Sequence, residues 1–351
     1  MSFSCRLSSR SLIRVSGTMA HEFLQGLFTN DLRLLQPGGS MWGCFLYHTG
    51  RVMCDAYLYQ SSRVYNGQAA ILVDVHRNVA DTLHDHLLEM RMRKKVQIHD
   101  VSNELTVLAT ALSEKSTQRE EKDALVASSP SSNDTLTSGS GSGSSSSSGS
   151  NTSAAAQKKT SAISPEAEVF VDPRSFALPS PLHKTILPAA WVPSTTDPTA
   201  LYDAFLYGAG IGEGPDVFRP SKTLPFEANT DFLRGVSFHK GCYLGQELTH
   251  RTHVMLVTRK RTVPLRLPHT RNGMGGTRLV EKGEVLLVDG QKVGEVLAVS
   301  GDVGLGLLRL RYVDSATRKV PGLVLHDALP VTVSIPSWWE EKEVRKVLSG
   351  P

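Results

Sequence analysis

The octet Lys240-Gly241-Cys242-Tyr243-Leu244-Gly245-Gln246-Glu247 sets one thiol between two glycines. A cation precedes it, and an amide and a carboxylate follow. The thiolate, not the thiol, attacks electrophiles and ligates metal, and a nearby ammonium such as Lys240 favours it. Gly241 and Gly245 permit backbone geometries closed to other residues and a close approach to the main chain. Gln246 and Glu247 add hydrogen-bonding groups one short turn away. Free cysteines are among the most buried residues, so an inert thiol in a glycine-rich turn is the competing reading. The polar crowding around Cys242 gives a reactive, partly exposed thiol equal standing.

A single cysteine cannot hold a two-iron cluster, which usually takes four protein ligands. Cys44 and Cys54 are further candidate donors. Cys44 lies in an apolar run, where a packed thiol is the stronger expectation. A site completed by a second protein is the sharper hypothesis. His239, His250 and His253 cluster near the octet, and imidazole suits iron. Their spacing gives no helical i, i+4 pair with Cys242, so surface roles are expected. Arg251, Arg259, Lys260 and Arg261 could attract a carboxylate-bearing ligand or an acidic partner. From charge alone, a solvated strand face explains them equally well.

These residues need a scaffold. Residues 12–15 read as a short strand and 21–27 as a helix with Phe23, Leu24 and Leu27 on one face. Residues 42–48 and 52–59 read as a hairpin turning at Thr49-Gly50. Strand 69–75, helix 78–90, and strands 96–101 and 105–112 follow, an α+β pattern. Residues 187–192 read as a strand and 199–207 as a helix. The glycines of 208–215 do not lie between a strand and a helix as a dinucleotide site requires. Beyond Pro264, short apolar runs alternate with turns, Asp289-Gly290 among them, as in a small β-barrel.

The chain has 351 residues, a net charge of +4, and 21% charged and 40% hydrophobic residues. That length suggests two or three domains, and the mild charge is not the footprint of a nucleic-acid binder. No apolar run is long enough to insert in a membrane. The four cysteines form no C-x-x-C pair, which argues against a zinc ribbon or a disulfide scaffold. The first acidic residue is Glu22, after several arginines and serines. Residues 1–11 therefore read as a short mitochondrial targeting segment. Residues 113–165 are dominated by Ser, Gly, Thr and Asn and read as a disordered insertion. Lengthening a loop tenfold adds only about 2 kcal/mol of closure entropy.

The octet resembles the signature of the folate-binding YgfZ/GcvT-like family, relatives of the glycine-cleavage aminomethyltransferase. The longer run from Leu224-Pro225-Phe226-Glu227 to Thr249, with Arg251-Thr252-His253 and Arg259-Lys260-Arg261, is similar to the mitochondrial iron–sulfur cluster assembly branch of that family. Weaker similarity runs from Leu12 to Trp339. The resemblance implies a three-lobed ring: an α+β body over 12–262, interrupted at 113–165, a β-barrel over 263–339 and a charged tail over 340–351. It implies that the strands flanking the insertion, 107–112 and 169–174, are sheet neighbours. It also implies tetrahydrofolate as a ligand, with Glu227 facing the pterin and Lys240, Gln246, Glu247 and Arg251 about it. Glu227 reads equally as a turn or cap residue.

Two departures matter. The transferases carry an Asp-Asp pair where this chain has Cys54-Asp55, and commonly an arginine where it has Leu206. Asp55 would be catalytic only in a transferase. The expectation is therefore an assembly factor of the mitochondrial matrix, more an assembly protein than an enzyme. It would act late in [4Fe-4S] maturation with A-type iron–sulfur carrier proteins. Cys242 would lend a thiolate to a [2Fe-2S] cluster shared with the partner. The alternatives are a tetrahydrofolate-dependent aminomethyl transferase and a metal-free folate-binding scaffold.

Overall fold

Strand periodicity of two builds the first layer of the structure, a computed structural model. It describes residues 2–65, 67–112, 166–191, 193, 196–255, 258–268, 270–271, 277–339, 341 and 344. The elements up to the insertion are β1 (Phe3–Arg6), β2 (Arg10–Ser16), α1 (Ala20–Gln25), β3 (Ser40–Leu46), β4 (Val52–Tyr65), β5 (Gln68–His76), α2 (Arg77–Arg91), β6 (Gln97–Asp100) and β7 (Leu105–Ala111). A five-stranded antiparallel sheet has the order β3-β4-β5-β2-β6. Successive side chains of a strand face opposite ways, so β4 feeds two cores. Met53, Cys54, Ala56 and Leu58 pack with Phe23, Leu24, Leu83 and Leu87 of α1 and α2. Val52, Tyr57 and Tyr59 pack on the other face.

Four strands form a second sheet, in the order β1-β7-β9-β8, with β8 at Glu168–Val171 and β9 at Leu182–Pro188. Two expectations change here. Strands β7 and β8 share a sheet but are not neighbours, because β9 pairs with both. The strand expected at 187–192 is β9, which ends at Pro188 and gives way to a 3-10 turn at Ala189–Trp191. The body also starts earlier than position 12. Strand β1, within the stretch read as a targeting segment, pairs with β7 and buries Phe3 and Cys5. Residues 113–165 and most of the tail beyond 339 lie outside the described residues.

Next come α3 (Thr199–Gly208), α4 (Gly214–Val217) and α5 (Gln246–Met255). The chain closes with β10 (Lys260–Arg266), β11 (Thr270–Arg271), β12 (Thr277–Arg278), β13 (Val285–Val288), β14 (Gln291–Ser300), β15 (Val303–Arg309), β16 (Val324–Leu325) and β17 (Thr332–Val333). Six of these strands curl into one sheet, β16-β13-β14-β15-β10-β17, the half-barrel form of the expected barrel. Its core holds Val263, Leu265, Val293, Leu308, Leu325 and Trp339. Trp338 Nε1 donates to the Ala209 carbonyl at 2.8 Å and ties the barrel end to α3.

The inner face of the first sheet carries charge as well as apolar groups. Arg10, Asp55, Tyr57, Tyr59 and Asp74 are buried there. Arg10 Nε donates to Asp74 Oδ1 at 2.6 Å, and Tyr59 Oη donates to Asp74 Oδ2 at 2.9 Å. Buried Arg174 bonds Asp172, Tyr57 and Glu213, and buried Lys184 donates to Tyr202 Oη at 2.6 Å. Tyr202 Oη lies 2.8 Å from both carboxylate oxygens of Glu213. Groups from both sheets, α3 and the α3–α4 connection thus pair with one another out of water, with Arg10 Nη1 held 3.8 Å from Glu213 and lacking a hydrogen bond. The Arg174, Lys184 and Arg10 cations hold the Glu213 carboxyl well below the usual range despite its burial. Burial pushes the Asp55 carboxyl the other way, only partly offset by Arg10 and Arg174.

Removing one partner from such a network leaves its counter-charge stranded. Arg174→Met is expected to cost about 3–5 kcal/mol in urea denaturation. A loss under about 1 kcal/mol would mean the network does not join the two sheets.

Candidate functional site

Cys242 is exposed, whereas Cys5, Cys44 and Cys54 are buried. Burial pushes the thiols of those three up. Cys44 and Cys54 face opposite cores and are packed, so neither joins Cys242 as a donor. Among the described residues, no three His, Cys, Asp or Glu side chains gather as a metal site. No described helix is long and apolar enough to cross a membrane.

The segment bearing Cys242 is stapled across residues 25–30, where the chain leaves α1. Ser237 N donates to Thr29 O at 3.1 Å, and Leu244 N donates to Gly26 O at 3.0 Å. Between these, Lys240 Nζ donates to the carbonyls of Gln25 (2.7 Å), Phe28 (2.6 Å) and Asn30 (2.8 Å). An ammonium has three protons, and all three are used. The carbonyls at a helix C-terminus lack partners within the helix, which makes this one a natural dock for a cation. Burial pulls Lys240 down to about 8, against the Asp31 carboxylate. Lys240 is therefore the pin of the loop and is not free to hold a cofactor.

The two octet glycines differ. Gly241 has open space about it, and no positive φ is seen there. Gly245 has φ +78°, and a Cβ there would lie 2.4 Å from the Tyr47 carbonyl. Gly50, at the β3–β4 turn, has φ +78° as well, and its Cβ would lie 2.5 Å from Leu248 Cβ. The hairpin turn and the start of α5 interlock through these two glycines. Tyr243 reaches one core and Leu244 packs on the other, so the intervening geometry leaves Cys242 outside.

The remaining expected residues do not converge. Gln246 Oε1 accepts from Tyr243 N at 3.3 Å and belongs to the loop's own bonding. Glu247, Arg251, His239, His250 and His253 are exposed. The His253 ring stacks on Phe238, with ring centroids 3.6 Å apart. Arg261 is not part of a free basic strip: it is buried and pairs with Asp231 at 2.7 Å. Glu227 Oε2 accepts from Leu224 N at 3.2 Å, a capping role, while the residue lines a cavity of about 230 Å³. Asp55 is buried with Oδ1 accepting from Gly214 N at 2.9 Å, and its Oδ2 has no partner. Asp55 does not line the 230 Å³ cavity that Glu227 lines. Of the residues expected about tetrahydrofolate, Glu227 lines the 230 Å³ cavity, and Lys240, Gln246, Glu247 and Arg251 do not.

Sequence reasoning missed the polar network and a second cavity of about 350 Å³ beside it. Arg10, Tyr202, Asp203, Glu213 and Asp216 line that cavity. The available signal was the alternation of Asp55, Tyr57 and Tyr59 along an otherwise apolar strand. Burial, reinforced by Glu213 and Asp216, raises Asp203 to about 6.

Residues 259–341 match the family described as CAF17, C-terminal beta-barrel domain. The chain is 30% identical to the mitochondrial iron–sulfur cluster assembly factor IBA57 of Mus musculus, covering 95% of this chain and 84% of that protein. It is equally similar to the Homo sapiens protein of that name, at 30% identity with 95% and 84% covered. The glycine cleavage system aminomethyltransferase T from Bartonella henselae shares the fold, with a TM-score of 0.62 at 15% identity over 97% of this chain and 86% of that one.

Gly245→Ala is expected to destabilise the protein by at least about 2 kcal/mol, combining a left-handed backbone with a backbone clash. Gly241→Ala should change stability by less than about 0.5 kcal/mol. Equal effects in chemical denaturation would contradict the interlock. Asp203 gives a pH signature. Its folded pKa lies above the unfolded value, so its ionised form penalises folding fully above about pH 6. That penalty fades as pH falls toward the unfolded carboxylate value. Asp203→Asn should therefore stabilise by about 1–2 kcal/mol at pH 7.5 and by almost nothing at pH 4. A gain independent of pH would contradict the assignment.

Proposed function

The chain belongs to the IBA57 family of iron–sulfur cluster assembly factors, and on that premise we propose that it acts late in [4Fe-4S] cluster maturation in the mitochondrial matrix. Its partner is an A-type iron–sulfur carrier, and the cluster is cargo rather than a resident cofactor. Cys242 lends one thiolate to a [2Fe-2S] cluster whose other ligands come from the carrier.

One observation carries this reading: of four cysteines, only Cys242 is exposed, on a loop pinned from beneath by Lys240. A lone thiol cannot complete the four-ligand set of a two-iron cluster. It can, however, offer one ligand to a cluster that another protein brings. A rigid loop makes that offer without the entropy loss of ordering a mobile one. Aminomethyl transfer finds no support in the position of Asp55, which is buried against Gly214. A general base must reach its proton directly or through one water.

The test is spectroscopy of the anaerobic, cluster-loaded carrier complex with wild-type protein and with Cys242→Ser. Replacing a thiolate by a hydroxyl is expected to change both the ultraviolet–visible charge-transfer bands and the Mössbauer parameters of one iron. Spectra unchanged by Cys242→Ser would remove this residue from the coordination sphere.

A further inference from the structure

The cavity of about 230 Å³ lies between α5, the 3-10 turn Pro225–Ala228 and the start of β10. Pro225, Phe226 and Leu248 make it apolar, and Thr252 and Arg259 line it too. At the end of α5, Val254 and Met255 are 64% and 58% exposed. Arg251, on the same helix, and Arg259 are exposed. Among the described residues neither they nor Lys260 form an ion pair, while neighbouring Arg261 is spent on Asp231. An exposed apolar pair, an apolar cavity and cations without an ion pair among the described residues therefore occur along the helix that begins four residues after Cys242.

The cavity is smaller than the roughly 300–1,000 Å³ typical of small-molecule and cofactor sites. It is large enough for an anchoring side chain of the kind that dominates protein interfaces. Glu227 lines the cavity beside Arg259 and Lys260, and with Arg251 the cations outnumber it. An apolar patch with a mainly basic rim marks a protein-docking surface, and the complementary partner is acidic. We propose that this cavity is a docking socket that receives one large apolar side chain from an acidic segment of the protein supplying the shared cluster's other ligands. The inference rests on the function proposed above and adds to it where the partner sits. Docking along α5 buries Val254 and Met255 and carries the partner's cluster toward Cys242.

The experiment measures binding of the full-length chain to the metal-free A-type carrier by calorimetry, so that no iron–sulfur bond contributes. Thr252→Trp, which fills the cavity, is expected to weaken binding at least tenfold. The double reversal Arg251→Glu/Arg259→Glu should weaken it at least tenfold and flatten its salt dependence. Arg93→Glu, a charge reversal at an exposed position beyond α2, should bind within twofold of wild type. Should Thr252→Trp misfold, the exposed double reversal is read alone. Unchanged binding by the folded variants, or no binding of the metal-free carrier by wild type, overturns the socket. A cluster spectrum that still depends on Cys242 would then leave the thiolate reading standing without it.

Discussion

An ammonium can leave water only where three acceptors wait for its three protons. Lys240 finds them in the carbonyls of Gln25, Phe28 and Asn30, just where α1 ends and the chain turns toward β3. Everything distinctive about Cys242 follows from that contact. It fixes the loop to the first layer, sends Tyr243 and Leu244 inward to separate cores and leaves the residue between pin and anchor facing solvent. Gly245 and Gly50 complete the arrangement, since any side chain at either would force the hairpin and α5 apart.

The fold around this loop is shared with an aminomethyltransferase, and its interior holds a buried polar network. Arg10 bonds Asp74, Lys184 bonds Tyr202, and Tyr57, Asp172, Arg174 and Glu213 bond one another, with Arg10 and Lys184 each 3.8 Å from Glu213. Asp55 is sealed against Gly214, and its carboxyl is pushed up by burial. Such a network of mutual bonds is a joint between layers. At the surface, Cys242 is the exposed thiol, four residues before α5 begins.

Much of this was legible in the sequence, and the rest was not for identifiable reasons. The hairpin at Gly50, helix α2 and strand β13 follow from local periodicity and turn residues, which need no knowledge of distant contacts. The position of β9 between β7 and β8 is a long-range fact that no local pattern encodes. Strand β1 was hidden because a basic, serine-rich stretch reads as a leader, yet Phe3 and Cys5 alternate inward. The surface position of Cys242 matches the expectation drawn from its polar neighbours, but the part of Lys240 was not legible. Its three acceptors are backbone carbonyls more than 200 positions away, and backbone atoms carry no sequence signature. Arg261 likewise looked like part of a charged strip until its pairing with Asp231 placed it inside.

The most direct measurement of the central claim is resonance Raman spectroscopy of the cluster-loaded complex, with this chain alone labelled with ³⁴S-cysteine and the carrier unlabelled. If Cys242 sulfur is bonded to iron, an iron–thiolate stretching band moves to lower wavenumber, and the movement disappears with Cys242→Ser. Bands that stay in place under the label would mean that no sulfur of this chain touches the cluster.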